Sequence, residues 1–220
     1  MKRVLIVGAG RENRKAFLKA LSLKADLIIG VDKGAETLFK NGIKFGLAVG
    51  DFDSLTDFTV LKDVNKLTYS KEKDFSDTEL AINYAIKEGF DEFVLTQMIG
   101  KRTDHMLFNI SMLVKLLKSK KVSCIKEEKE EIYILDSKFS LPVLPKATVS
   151  LFPVSRMVTG VNTKGLKYPL RNRNLHFGQT LTLSNIAVSR EIEVSVEKGI
   201  LLVLIEKIQK IFYGAFEILF

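Results

Sequence analysis

The chain has one cysteine, Cys124, and no tryptophan in 220 residues. A single thiol excludes an internal disulfide and any cysteine-built zinc cage. Lying in the β-like run 122–125, Cys124 reads as ordinary strand packing. The two histidines, His105 and His176, are isolated from each other and lack zinc-ligand spacing. No apolar run approaches the ~20 residues of a membrane span. The opening Met1-Lys2-Arg3 with apolar 4–7 breaks at Gly8-Ala9-Gly10. That is short of the ~7–15 residues of a signal-peptide core, so it reads as a first strand and a cytoplasmic location is expected. No G-x-x-x-x-G-K-[ST] phosphate loop occurs, and Gly8-Ala9-Gly10 fails G-x-G-x-x-G because position 13 is Asn13. Internal repeats and low-complexity segments are absent as well.

The composition is that of an ordinary globular protein, with 46% hydrophobic and 27% charged residues. Lys and Arg number 34 against 26 Asp and Glu, a formal charge of +8. These cations are spread along the chain, with short clusters only at 118–121 and 171–173, and no nucleic-acid-reading motif accompanies them. A positive field recruits a small anion such as a nucleotide equally well. Charge alone does not decide between the two; the partners expected are small molecules, with neither nucleic acid nor membrane among them.

Apolar strand-like runs at 3–7, 26–31, 45–49, 66–69, 92–96 and 122–125 alternate with helix-like runs at 12–23, 34–41, 56–63, 77–88 and 104–118. That alternation predicts a Rossmann-like α/β domain over 1–128 with a mostly parallel sheet. Beyond it, strand patterns at 131–135, 138–144, 147–154, 179–184, 191–196 and 199–205 run without a helix. They predict an antiparallel all-β sandwich or barrel-like domain over 129–220. The apolar end, 207–220, reads as a strand or tail docked on the core or on a partner.

Ligands in open α/β sheets bind beyond the carboxyl ends of the strands. Every polar cluster of the first domain falls there: Arg11 after the first strand, Asp32 after the second, Asp51 and Asp53 after the third. Asp74 and Asp77 follow the fourth, and Arg102 and Asp104 the fifth. Hard carboxylate oxygens suit Mg²⁺, which a few carboxylates hold together with water and substrate phosphates. Arg11, Lys73, Lys101 and Arg102 are placed to neutralise phosphate oxygens. The residues alone thus point to a metal-dependent polyphosphate enzyme. Structural roles compete at each cluster. Ser76-x-x-Glu79 forms a capping box, and Thr103-Asp104 suits a helix start.

The same residues resemble the thiamine pyrophosphokinase family. Its G-D-F-D-S pattern is complete at 50–54, and its G-x-R-x-D-H at Gly100, Arg102, Asp104 and His105. K-D-x-T-D appears as Lys73-Asp74-Phe75-Ser76-Asp77, with Ser for Thr. D-G-G-A appears as Asp32-Lys33-Gly34-Ala35, with Lys33 for a glycine. In the second domain, 165–170 and Leu183-Ser184-Asn185 are similar to vitamin-binding segments, and Glu197-Lys198-Gly199 to a closing hairpin.

The resemblance implies Mg²⁺-dependent transfer of pyrophosphate from ATP to the hydroxyl of thiamine, giving thiamine diphosphate and AMP, by a homodimer. It implies Asp51, Asp53, Asp74 and Asp104 as metal ligands and Asp77 as proton acceptor, with Asp74 able to exchange roles with it. Arg11, Asp32, Lys73, Ser76, Lys101 and Arg102 would contact ATP. Ser184 and Asn185 would contact the pyrimidine of thiamine, and any stacking aromatic must be Phe or Tyr. The residues leave open a related transfer to another alcohol, a non-catalytic nucleotide or thiamine sensor, and a nucleic-acid-binding role.

Overall fold

In a computed structural model, residues 1–52, 58–62, 64–68, 74–100 and 102–207 are described. The chain divides into two units, Met1–Glu128 and a second beginning at Lys129.

The apolar runs of the first unit become parallel strands. Strands covered by helices on both faces need apolar side chains on both, so their sequences read as unbroken aliphatic stretches. The strands are β1 (Arg3–Val7), β2 (Leu27–Val31), β3 (Leu47–Gly50), β4 (Asn65–Thr68), β5 (Glu92–Thr96) and β6 (Val122–Lys126). They lie in the order β6-β5-β1-β2-β3-β4, every neighbouring pair parallel. The chain winds outward from β1 to β4, then returns to the other side of β1 to lay down β5 and β6. That reversal is the topological switch where such sheets open a crevice.

Among the described residues four α-helices join the strands: α1 (Lys15–Ser22), α2 (Lys33–Lys40), α3 (Asp77–Lys87) and α4 (Thr103–Lys118). Helix α1 starts three residues later than its apolar spacing suggests. Asn13 is buried and bonded to Thr96, Glu127 and Glu128, and Arg14 stays extended at φ −61°, ψ 146°. Of the helix expected over 56–63, the described residues include a 3-10 turn, Phe58–Leu61, while residues 53–57 and 63 lie outside the described set.

The second unit has β7 (Glu130–Leu135), β8 (Phe139–Pro142), β9 (Thr148–Pro153), β10 (Met157–Lys164), β11 (Arg173–His176), β12 (Asn185–Ile186), β13 (Glu191–Ser195) and β14 (Leu201–Glu206). Two antiparallel sets, β12-β9-β14-β7 and β11-β10-β13-β8, make the expected sandwich. Period-two patterning is plain in β13, where Ile192 and Val194 are buried between more exposed Glu191, Glu193 and Ser195.

Two expectations fail here. Residues 181–184 form a turn rather than a strand: Leu183 N–H bonds Thr180 O, and Ser184 sits at φ 58°. Leu181 and Leu183 are exposed in consequence. Conversely, β10 and β11 were not legible. Gly160 at φ 65° and a register shift between Val158 and Val161 break the alternation of β10. Of the apolar end, only Lys207 is described. Among the described residues no helix is long and apolar enough to cross a membrane.

Helix α4 ends in a Schellman arrangement, with Lys120 N–H on Leu117 O at 2.9 Å and Lys121 N–H on Leu116 O at 2.9 Å. Exposed Lys120 occupies the left-handed position at φ 57°, where glycine is usual. Lys120→Gly is expected to raise stability by about 0.5–1 kcal/mol, the relieved strain exceeding glycine's extra unfolded-state entropy. A urea titration checks this as a higher midpoint with unchanged slope.

Candidate active site

At the switch point the loops after β1 and β5 are stitched together. Gly8 N–H donates to Thr96 O at 2.9 Å, Gly10 N–H to Gln97 O at 2.7 Å, and Arg11 N–H to Ile99 O at 2.7 Å. The β1–β5 pairing thereby continues past the strand ends. The loops after β2 and β3 are joined too, with Asp32 N–H on Val49 O at 3.0 Å. Gly50 lies so close to Asp32 that a Cβ there would stand 2.0 Å from Asp32 Oδ1, and its φ of 152° is open only to glycine.

Phe52 explains the spacing of the third cluster. It is buried among Ala35, Ala48, Val60 and Leu61, and it turns the chain at φ 58°. The aromatic anchor leaves its neighbour Asp51 half-buried at the rim. Asp53 lies outside the described residues, as do Lys73 and Lys101.

Asp74 is exposed, and Asp77 is half-buried in the first turn of α3, where a negative charge is favoured. Ser76 caps that helix, its Oγ accepting from Glu79 N–H at 3.2 Å. Glu79 does not close the capping box. Its Oε1 instead takes Lys115 Nζ of α4 at 2.7 Å, so the fourth and fifth loops are braced by their helices.

Arg102 precedes α4 and grips Asp104 with two bonds, Nε to Oδ1 at 3.2 Å and Nη2 to Oδ2 at 2.6 Å. Both partners are exposed, so the pair contributes little to stability and is readily exchanged. Arg102, together with the backbone N–H of His105, holds the Asp104 carboxyl at about 2. The contact found for His105 is thus its main chain. Arg11 is exposed on the same edge.

Among the described residues no three of His, Cys, Asp and Glu converge on a cation-sized position. The donor chemistry nevertheless fits Mg²⁺: Asp51, Asp74 and Asp104 offer hard oxygens, and Cys124 is buried in β6. Mg²⁺ takes only one or two carboxylates where phosphates and water complete its shell.

In the second unit the two vitamin-like segments are laced together. Asn185 Oδ1 accepts from Tyr168 N–H at 3.1 Å, and Asn185 Nδ2 donates to Tyr168 O at 2.8 Å. Lys167 N–H meets Ile186 O at 2.8 Å, and Val188 N–H meets Gly165 O at 2.9 Å. Much of the hydrogen-bonding capacity of Asn185 is spent on holding Tyr168, whose side chain is exposed. Ser184 N–H donates to Ser150 Oγ at 3.0 Å.

Sequence reasoning missed Asn13 and Glu127, both buried polar side chains behind the β5 loop. Burial pushes the Glu127 carboxyl up, against the opposing pull of Asn13 and of backbone N–H groups. The available signal was phase: Glu127 follows an apolar strand at the position the other rim residues occupy.

Because its carboxyl is held near 2, Asp104 stays ionised far below the usual carboxylate range. Its pair with Arg102 favours the folded state above the ordinary value near 3.8, and that contribution fades as pH falls through about 2. Carboxyl NMR should find Asp104 titrating near 2, and Arg102→Ala should move it back toward 3.8.

Both units have counterparts among known proteins. The thiamin pyrophosphokinase catalytic domain matches residues 18–125, and the thiamin pyrophosphokinase vitamin B1 binding domain matches residues 133–201. A thiamine pyrophosphokinase of Bacillus subtilis is 32% identical over 220 residues, covering 93% of this chain and 98% of that protein. A crystal structure of thiamine pyrophosphokinase from Bacillus subtilis superposes with a TM-score of 0.86 at 28% identity, covering 94% of this chain and all (100%) of that one. That of the Geobacillus thermodenitrificans thiamin pyrophosphokinase gives 0.81 at 26% identity, covering 96% and 100%. With both domain types in order and a relative matched along nearly its whole length, the chain belongs to the thiamine pyrophosphokinase family and is a thiamine diphosphokinase.

Proposed function

We propose that the first unit binds ATP with Mg²⁺ and that its β- and γ-phosphoryl groups pass to the hydroxyl of thiamine held by the second unit. The observation that carries this reading is the stitched rim at the β1–β5 switch. It gathers Arg11, Arg102 and Asp104 on one edge, with Asp32 and Asp51 on the neighbouring loops.

In the transfer, the thiamine oxygen forms a bond to the β-phosphorus as the bridge to the α-phosphate breaks. The bridging electron pair leaves with AMP. The hydroxyl proton goes to the carboxylate of Asp77, with Asp74 as the alternative acceptor. Arg102, released from Asp104, contacts the phosphates, assisted by Arg11, Lys73 and Lys101. Asp104, freed by the same exchange, would hold Mg²⁺ together with Asp51, Asp53 and Asp74, and the ion would supply neutralisation of phosphate charge. Asp32 and Ser76 border the nucleotide. Positioning and charge neutralisation carry most of the acceleration, as in other phosphoryl transfers.

In the second unit, Ser184 and Asn185 line the vitamin site, with Asn185 acting chiefly through Tyr168. The assembly is a cytoplasmic homodimer. The exposed side chains of Tyr168, Leu181, Leu183 and Val188 support an apolar covering surface there.

ATP and thiamine are expected to give AMP and thiamine diphosphate in equal amounts, and excess chelator should abolish both. Binding of nucleotide without either product would overturn the assignment. Asp77→Asn should lower kcat by about 10²-fold or more if Asp77 takes the proton. Asp51→Asn should show a comparable loss that added Mg²⁺ partly restores; unaltered turnover would remove Asp51 from the metal set.

A further inference from the structure

Glu127 lies one residue past β6 and is only 5% exposed, yet the chemistry above does not use it. Its Oε1 accepts from Met98 N–H at 2.8 Å, and its Oε2 from Asn13 Nδ2 at 2.6 Å. The backbone of Gln97 and Ile99 on either side also favours its charged form. A turn that presents backbone N–H groups to an anion uses a left-handed residue. Gln97 supplies it at φ 56°.

The carboxylate is itself held from behind. Asn13 Nδ2 also reaches Thr96 Oγ1 at 3.0 Å, and Asn13 Oδ1 accepts from Glu128 N–H at 3.0 Å. The Gln97 amide donates to Gly8 O at 3.2 Å and accepts from Asn13 N–H at 3.1 Å. On the opposite side of the turn, the carbonyls of Gln97 and Ile99 receive Gly10 and Arg11 N–H. Gly10 permits that approach, since a Cβ there would stand 2.5 Å from Gln97 O.

We propose that Glu127, oriented by Asn13, is a positioning residue for pyrophosphoryl transfer: it fixes the 97–100 turn so that Arg11 and the Arg102–Asp104 pair share one rim. The inference rests on the reaction assigned above. It follows from chain order. In sequence the turn lies just before Arg102, and its carbonyls hold the Arg11 loop. Burying a carboxylate is costly, and what this one obtains is the alignment of the Met98 N–H and the Asn13 amide, which an apolar residue would leave unmatched.

The test uses the full chain and steady-state kinetics in both substrates. In Glu127→Gln the new amide must set a donor against either Asn13 Nδ2 or the loop N–H groups. Expected is a fall in kcat of about 10–100-fold, as misplacement of reacting groups produces, with the thiamine KM within about two-fold of wild type. The Asn13→Asp, Glu127→Gln double variant should recover most of the loss. Its introduced amide can then donate to the introduced carboxylate while the amide's carbonyl keeps the loop.

Amide exchange at Met98 should speed up in Glu127→Gln and slow again in the double variant. Glu127→Asp keeps the charge, shortens the reach and should give an intermediate kcat. Wild-type kcat in folded Glu127→Gln overturns the proposal. So does a loss that merely tracks the unfolded fraction, an equal loss of thiamine affinity, or absence of recovery in the double variant. If Glu127→Gln and Glu127→Asp both fail to fold, Glu127 serves stability and the proposal falls. A wild-type enzyme forming no thiamine diphosphate would instead overturn the reaction assignment, an outcome distinct from these.

Discussion

The architecture of the first unit depends on a backbone ladder that outlasts its strands. Where β1 and β5 end as strands, Gly8, Gly10 and Arg11 go on pairing with Thr96, Gln97 and Ile99. Loops ordinarily carry their backbone polar groups to water. Here they satisfy one another across the switch point, and the polar residues that follow inherit fixed origins. A glycine at position 10 and a left-handed Gln97 are the local conditions for that approach. The buried Asn13 and Glu127 satisfy the groups left on the far side.

On that frame the charged residues are held loosely. Arg102 and Asp104 are exposed and joined to each other, an arrangement of small energetic consequence in water. Such a pair keeps both groups ionised and oriented while costing little to separate. The helices behave differently. Lys115 and Glu79 are less exposed and tie α3 to α4, so the loops preceding both helices share one brace. Rigid supports thus carry exchangeable contacts.

The second unit follows the same logic in an antiparallel setting. Its thiamine-related segments are turns and short bridges, and Asn185 secures them by bonding both backbone groups of Tyr168. Ser184, at φ 58°, reverses the chain ahead of this contact and leaves Leu183 exposed. An apolar side chain in a turn resembles one in a strand when only sequence is read. That is why 179–184 read as β, while β10, interrupted by Gly160 and a register shift, did not.

Alternation of apolar runs with helical spacing was sufficient for the parallel sheet, because side-chain burial on both strand faces leaves a local mark. The acidic motifs were legible for a related reason: strand ends are visible as the limit of an apolar run, and the polar residues beyond them share a phase. Phe52 at the centre of its motif and Ser76 at a helix start belong to that local grammar. Glu127 shares that phase, but its pairing with Asn13 has no local sign. They are 114 residues apart, and nothing in the sequence near either indicates that one amide and one carboxylate will meet behind a turn. Nor does sequence show that Asn185 spends its amide on a backbone rather than presenting all of it to a ligand. By itself the sequence determined the parallel strands of the first unit and the polar residues that stand at their ends, since those depend on neighbours a few positions away. Only tertiary structure decided which polar groups are consumed in holding the site and which remain for substrate, because hydrogen bonds between distant segments exist only once the chain has closed.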